Sequence, residues 1–280
     1  MKLNQGILQI PLRTPTKLPA THTNAYLVGD RNLYLIDPST PTPSEQETLW
    51  KLLDEATAEG RKLEGILLTH SHPDHIGAVQ ETLRRYELPL FAHRLAAESL
   101  PQFDFSDLLG HGQELSLGTS PEGEPDWRLK IYHLPGHAPG HLVFQETCYQ
   151  GVIVGDLIST LSSILIDPQD GDLSTYVESL HFLESITEGC LYPGHGPPAK
   201  KGRLVVQRTL HHRQKREQRL LEALDHTPRT LDAILPKVYV KIDRSVVKYA
   251  ERSLHSGLIK LIEEGRVEES ADGYRLTADS

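Results

Sequence analysis

The stretch Thr69-His70-Ser71-His72-Pro73-Asp74-His75 decides how this chain is read. It sets three imidazoles and a carboxylate close together, directly after Gly65-Ile66-Leu67-Leu68, an apolar run of strand length. Imidazole and carboxylate are the ligands of zinc, iron or manganese at hydrolytic sites, and a loop at a strand end lets consecutive side chains converge where a regular helix or strand would splay them. Three more fragments share this texture of Gly, Pro, His and Asp beside an expected strand: Pro135-Gly136-His137-Ala138-Pro139-Gly140-His141, Val154-Gly155-Asp156 and Tyr192-Pro193-Gly194-His195-Gly196. All four can gather on one edge of a sheet. Gly136, Gly140, Gly155 and Gly194 let the backbone turn tightly beneath a ligand.

Working outward, Ile7–Ile10 reads as a strand, and Asn24–Val28 and Asn32–Ile36 read as a hairpin about Gly29-Asp30-Arg31. A helix is expected from Pro43 and Ser44 to about Glu59, with Ser44 as N-cap, Gly60 as stop and Leu49, Leu52, Leu53 and Ala56 as its apolar face. Ile76–Tyr86 reads as one helix after the histidine cluster, and Arg94–Ser99 as another, while the Gly/Pro/Glu-rich stretch Ser120–Pro125 gives no clear element. Leu129–Leu134, His141–Thr147 and Gly151–Leu157 are further strands, and Ser174–Ile186 a helix. Strands with helices between them indicate sheets covered by helices, an α+β layered domain over residues 1–203. After Pro197-Pro198 the texture changes. Residues 204–280 open with a long charged helix, Leu204–Leu224, followed by three short helical stretches and two small strands within Arg266–Leu276 about an Ala-Asp-Gly turn, the order of a winged helix.

Composition narrows the class. The chain has 280 residues, 38% hydrophobic and 24% charged, which is enough for a full core and excludes disorder or a disulfide scaffold. Its longest apolar runs, such as Gly151-Val-Ile-Val-Gly155, are far short of the roughly 20 residues a membrane-spanning helix needs, so no membrane partner is expected. Met1-Lys2-Leu3-Asn4-Gln5-Gly6 has no signal-peptide character, and two cysteines, Cys148 and Cys190, read as reduced thiols, so a cytoplasmic setting is expected. Eleven of the 15 histidines precede residue 204. Residues 204–280 carry 14 Lys/Arg and 12 Asp/Glu, against a net charge of −9 for the whole chain.

These motifs together resemble the metallo-β-lactamase superfamily over roughly residues 5–200. The resemblance implies an αββα sandwich with a dinuclear metal site on one edge. By motif, His70, His72 and His141 would hold one ion and Asp74, His75 and His195 the other, with Asp156 bridging. Asp37 would orient a ligand histidine, although Pro-Ser follows it where Thr-Gly is usual. His137 is read as structural or as supporting a ligand. The cofactors implied are two divalent metal ions, Zn2+ first, with Fe or Mn as alternatives. A metal-bridging hydroxide would be the nucleophile and Asp74 the catalytic proton acceptor.

Within the superfamily, histidine at 72 and aspartate at 74 match hydrolytic members and argue against the redox-active flavodiiron type. No β-CASP-like insertion fits between residues 156 and 195. The helix segment His211-His-Arg-Gln-Lys-Arg-Glu-Gln and the run Tyr192-Pro-Gly-His-Gly-Pro197 resemble the beta-lactamase-like protein 2 group, which has a C-terminal winged helix and includes both a single-strand-selective endoribonuclease and relatives acting on thioesters. The tail's Lys237, Lys241, Arg244, Lys248 and Arg252 invite an RNA partner. The acidic balance of the chain opposes it. The expectation is therefore a metal-dependent hydrolase of a small-molecule ester or thioester, with an endoribonuclease second and a non-catalytic metal-binding module third. The tail is expected to cap the active-site face or to form a homodimer contact.

Overall fold

Period-two alternation along the strands builds the layers. In β2 (His22–Gly29) and β3 (Asn32–Ile36), Ala25, Leu27, Leu33 and Leu35 face one side, while Tyr26, Val28, Tyr34 and Ile36 face the other. The first set packs under α1 (Pro43–Ala58) through Leu49, Leu53 and Ala56. The second meets Leu142 and Phe144 of β9 (Leu142–Glu146) and Ile153 of β10 (Val152–Ser159). On the far side of that second sheet, Val143, Val152 and Val154 pack against Leu180 and Leu183 of α5 (Leu173–Ile186) and Val206 and Leu210 of α6 (Gly202–Glu222). Three apolar layers between four tiers of structure give an αββα sandwich. The computed structural model describes residues 6–58, 60–240, 243 and 246–278.

One sheet has six strands in sequence order, from β1 (Ile7–Arg13) through β2, β3, β4 (Lys62–Leu67) and β5 (Leu90–His93) to β6 (Asp107–Leu109). The other has five, ordered β11 (Leu191–His195), β10, β9, β8 (Trp127–His133) and β7 (Glu114–Gly118). Residues 119–126, which include the Ser120–Pro125 stretch that gave no clear element, link β7 to β8. Pairings are antiparallel except for β3–β4–β5–β6 and β10–β11.

Two helix expectations are corrected. Helix α1 starts at Pro43 rather than after a Ser44 cap: the N–H groups of Glu45 and Gln46 both reach the Thr42 carbonyl, and proline at the first helical position sacrifices no intrahelical bond. Glu59 lies outside the described residues. The single helix expected over Ile76–Tyr86 is two, α2 (Pro73–Ile76) and α3 (Val79–Tyr86). Between them Gly77 lies against the 38–41 loop so closely that a Cβ would stand 2.6 Å from the Ser39 carbonyl oxygen. Asp74 and His75 consequently sit on a helical turn, not on an irregular loop. The α4 segment (Arg94–Glu98) falls where expected.

Helix α6 joins two cores. Its Val206 and Leu210 belong to the sandwich, and its Leu220 belongs to a separate cluster with Ile234, Leu254, Leu258, Leu261 and Tyr274. That second core is built from α7 (Leu231–Val238), α8 (Val247–Glu263) and the hairpin of β12 (Val267–Ser270) and β13 (Gly273–Leu276). The three short helical stretches expected here are two helices among the described residues, one of them 17 residues long. The tail docks on the sandwich through the Arg252–Asp167 ion pair and the Ser174–Glu263 hydrogen bond.

Candidate metal centre

Strand ends and the turns after them bring the histidines to one edge of the sandwich. Each of five imidazoles has one nitrogen tied to an outer partner. His70 Nδ1 meets Thr69 Oγ1 at 2.9 Å, and that hydroxyl in turn donates to Asp37 Oδ2 at 2.6 Å. His72 Nε2 meets Asp170 Oδ2 at 2.8 Å, and His75 Nδ1 meets Asp37 Oδ2 at 2.8 Å. His137 Nδ1 reaches the Leu165 carbonyl at 3.1 Å, and His195 Nδ1 the His22 carbonyl at 3.0 Å. An acceptor on the outer nitrogen puts the ring proton there and leaves a lone pair on the inner one.

The inner atoms form two groups. His70, His72 and His137 offer donors that lie within 4.8 Å of one another, as do those of Asp74, His75 and His195. His72 Nδ1 is 3.0 Å from both His70 Nε2 and His137 Nε2. With the outer nitrogens carrying the protons, these contacts are between lone pairs, which repel unless a cation lies among them. Asp156 stands between the groups: its Oδ1 is 3.4 Å from His75 Nε2, and its Oδ2 is 3.3 Å from His195 Nε2 and 3.6 Å from His137 Nε2. His75 Nε2 and Asp156 Oδ1 are buried without hydrogen-bond partners, the orphaned state that a metal ion resolves. The residues therefore fit a pair of ions. Asp37 also lies near His70 and His75, but its oxygens already accept from Thr69 N, Thr69 Oγ1 and His75, which makes it an orienting group as expected.

His141, which the motif reading assigns to the first ion, lies beside these groups: its Nε2 accepts the backbone N–H of Asp156 at 3.1 Å, and its buried Nδ1 has no partner. His137, read as supporting, brings its Nε2 within 3.0 Å of His72 Nδ1 and joins the first group. Gly136 has φ +117° and approaches α5 so closely that a Cβ would lie 2.3 Å from the Tyr176 backbone, which seats the next residue, His137, at the centre. Gly194 is equally confined, since a Cβ there would fall 2.4 Å from Asp156 Oδ1. Asp170, which no spacing singled out, is the other addition.

Electrostatics divides the site. Burial, reinforced by neighbouring imidazoles, pushes His70 well below its ordinary pKa, and burial also takes His137 down to about 4 against the pull of Asp156. Both stay neutral, as metal ligation requires. Burial opposes charge on His75 and His195 too, but the charge and hydrogen bonding of Asp156, joined at His75 by Asp37, raise both. Burial would likewise raise Asp156, yet His195 and His75 hold it well below the carboxylate range. The carboxylate end thus demands positive charge, whether from protons or from metal. Burial similarly acts on Asp74, which the charge of His75 nevertheless holds low.

The site opens into a cavity of about 630 Å³, lined on one side by His72, Asp74, His137, Asp156 and His195, and roofed by the 15–20 segment, the 162–165 loop and the tail. From α8 and the residue before it, Val246, Tyr249, Ala250 and Ser253 face this cavity. Cys148 and Cys190 are free, half-buried and raised in pKa by burial, away from the donors. Away from the donors, His93 and His133 stack on each other with centroids 3.9 Å apart.

A fold of this kind around paired His/Asp donor groups defines a metal-dependent hydrolase. Residues 18–195 match the profile of the Metallo-beta-lactamase superfamily, and residues 230–275 match the Beta-lactamase associated winged helix domain. The chain belongs to the metallo-β-lactamase superfamily and has a C-terminal winged helix. It is 26% identical to a Beta-lactamase-like protein 2 homolog of Caenorhabditis elegans, over 95% of this chain and 88% of that one. It is 29% identical to an Atrochrysone carboxyl ACP thioesterase of Aspergillus fumigatus, over 72% of this chain and 44% of that one. Among solved structures, a beta-lactamase domain protein from Burkholderia ambifaria covers 99% of the chain, 93% of its own, with TM-score 0.82 at 18% identity. TTHA1623 in a di-iron-bound form covers 68%, 95% of its own, with TM-score 0.50 at 30% identity.

Proposed function

We propose that this protein is a dinuclear hydrolase of small-molecule esters or thioesters, with zinc as its metal and a reducing cytosol, which suits its free thiols, as its setting. The observation that carries the reading is the convergence of two donor groups on Asp156 at the base of a cavity that the tail roofs over. About 630 Å³ lies in the range of small-molecule sites. His70 and His72 would hold one ion together with His141, as the motif assigns, or His137, whose nitrogen converges with theirs; Asp74, His75 and His195 would hold the other, and Asp156 both. When bound, such ions supply an acidified water and a Lewis acid for the scissile oxygen. The chain's own part is positional. Both carboxylates border the cavity, but Asp156 is held by three imidazoles, whereas Asp74 is the more exposed and has its Oδ2 3.5 Å from His195 Nε2 alone, so Asp74 would be the carboxylate to accept a proton from an attacking water.

The thioesterase named among the relatives supports the acyl substrate class, and the di-iron relative keeps iron open beside zinc. Elemental analysis of metal-reconstituted protein, followed by a panel of thioesters, lactones, lactams and single-stranded RNA, tests the reading. Two ions per chain and preferential thioester or ester turnover are expected. One ion at saturation would remove the bridging role of Asp156, and RNA cleavage without acyl hydrolysis would replace the substrate class.

A further inference from the structure

The wall of the cavity away from the metal donors has the opposite charge. Arg216 of α6 and Lys17 of the 15–20 segment are its cations, with the His212 ring, lowered in pKa by burial and then by Arg216, beside them; among the described residues the acidic lining residues are Asp74 and Asp156, both at the metal end. Arg216 is half-buried and stacks on Tyr239, its guanidinium carbon 5.1 Å from the ring centroid. Burial lowers its pKa against the pull of Tyr239, and Arg213 and Arg219 add repulsion. Other cations nearby are satisfied by the protein: Arg213 donates to the Ile164 carbonyl at 2.6 Å, Arg252 pairs with Asp167, and Lys260 and Arg266 share Glu217. Arg216 has no carboxylate partner among the described residues. A desolvated guanidinium without a counter-charge is costly unless a ligand supplies one, and its planar fork matches carboxylate or phosphate oxygens. His212, 3.3 Å from Ser163 Oγ, adds a neighbouring polar ring.

We propose that Arg216, with His212 and Lys17, forms an oxyanion-binding subsite for a carboxylate or phosphate carried by the substrate. The substrate's apolar body would then lie along Leu18, Ile164 and Val246, with its acyl bond at the metal end. This assignment rests on the hydrolase reading for the acyl bond, but the anion contact is separable from turnover.

The test uses metal-loaded full-length protein and phenyl thioesters that differ only at the acyl terminus, butanoyl against 3-carboxypropanoyl. Arg216→Gln should raise KM for the carboxylate-bearing thioester about tenfold or more, the scale of a lost hydrogen bond to a charged group, and leave that of the neutral one nearly unchanged. Arg216→Lys should recover part of the loss. Equal losses on both thioesters, with or without a fall in Tm, would mean that Arg216 only supports the fold, and the subsite would be discarded. Calorimetric titration with succinate and, separately, inorganic phosphate reads the subsite even if neither thioester is turned over, an outcome that would count against the hydrolase reading alone. Binding weakened by Arg216→Gln supports the subsite, the tighter anion naming its source; binding of both that is unchanged overturns it.

Discussion

The backbone N–H of Asp156 donates to Nε2 of His141 across 3.1 Å, which ties the ring that the motif offers as a ligand to the backbone of the bridging carboxylate, while His137 Nε2 converges on His72. His137→Ala should therefore cost the protein metal at the His70/His72 group. His141→Asn should keep both ions, with activity or affinity falling by about 10- to 100-fold, as when a partner behind a metal ligand is removed. Mass-spectrometric metal counts on the two variants check this; full occupancy in His137→Ala with one ion lost in His141→Asn would restore the motif assignment.

Asp74→Asn should retain the fold and slow hydrolysis by roughly 10² to 10⁴, because an amide cannot take the proton that the carboxylate accepts. Circular dichroism and turnover measured on the same sample separate the two effects. Unchanged turnover would remove Asp74 from the chemistry.

Asp170 fixes His72 through its Nε2 at 2.8 Å, with the carboxylate held below its usual range by that hydrogen bond first, despite burial. Asp170→Ala should loosen the ring and lower metal affinity or turnover by about 10- to 100-fold, with Asp170→Glu or Asp170→Asn losing less. Competition with a metal-sensitive chelating dye measures it. Equal affinity in wild type and Asp170→Ala would show that the ring is positioned by its neighbours.

The part of the site that is local in sequence was legible. His70, His72, Asp74 and His75 lie on one strand-to-helix passage, His195 closes β11 and Asp156 lies within β10, so residue type and position pointed to this edge. The roles of His137 and His141 were not, because both sit in one Pro-Gly-His-Ala-Pro-Gly-His run and each follows a glycine pressed against a neighbour, Gly136 on Tyr176 and Gly140 on Ala96. Asp170 acts from a loop 98 residues away from His72, and the His22 carbonyl carries no side-chain signal at all. The layered fold was legible from strand alternation. The split between α2 and α3 was not, since it arises from the contact of Gly77 with a loop distant in the pattern.

His93 offers a pH signature independent of the metal. Burial and then His133 lower its pKa from 6.5 to about 4, while its Nδ1 accepts the Leu95 N–H as the cap of α4. The unfolded chain takes up this proton near pH 6.5 and the folded one only near 4, so the contribution is intact above about 6.5 and is lost as pH falls through about 4. His93→Asn, which preserves a capping side chain, should flatten the difference in stability between pH 7 and pH 4.5 relative to wild type. Denaturant titrations at both pH values, with the ring followed by NMR, test it; a ring inflecting near 6.5 contradicts the shift.

The charges of the tail separate a small acyl substrate from RNA. A nucleic-acid surface needs free cations, but Lys237 donates to the Ala223 carbonyl, Arg252 pairs with Asp167, and the face of α8 bearing Tyr249 and Ser253 borders the metal-site cavity. Lys241 and Arg244 lie outside the described residues, and Lys248 stands 4.9 Å from the Tyr249 ring. Neutralising Lys241, Arg244 and Lys248 together should therefore leave thioester hydrolysis within a few-fold. Any binding of single-stranded RNA should be weak; were it specific, log K would fall by about 0.7 per phosphate contact with log salt, and the triple change would reduce that slope. Salt-sensitive RNA cleavage that disappears both in the triple variant and in His72→Ala would reverse the assignment, because it would tie nuclease activity to this tail and this metal centre at once and exclude a contaminant.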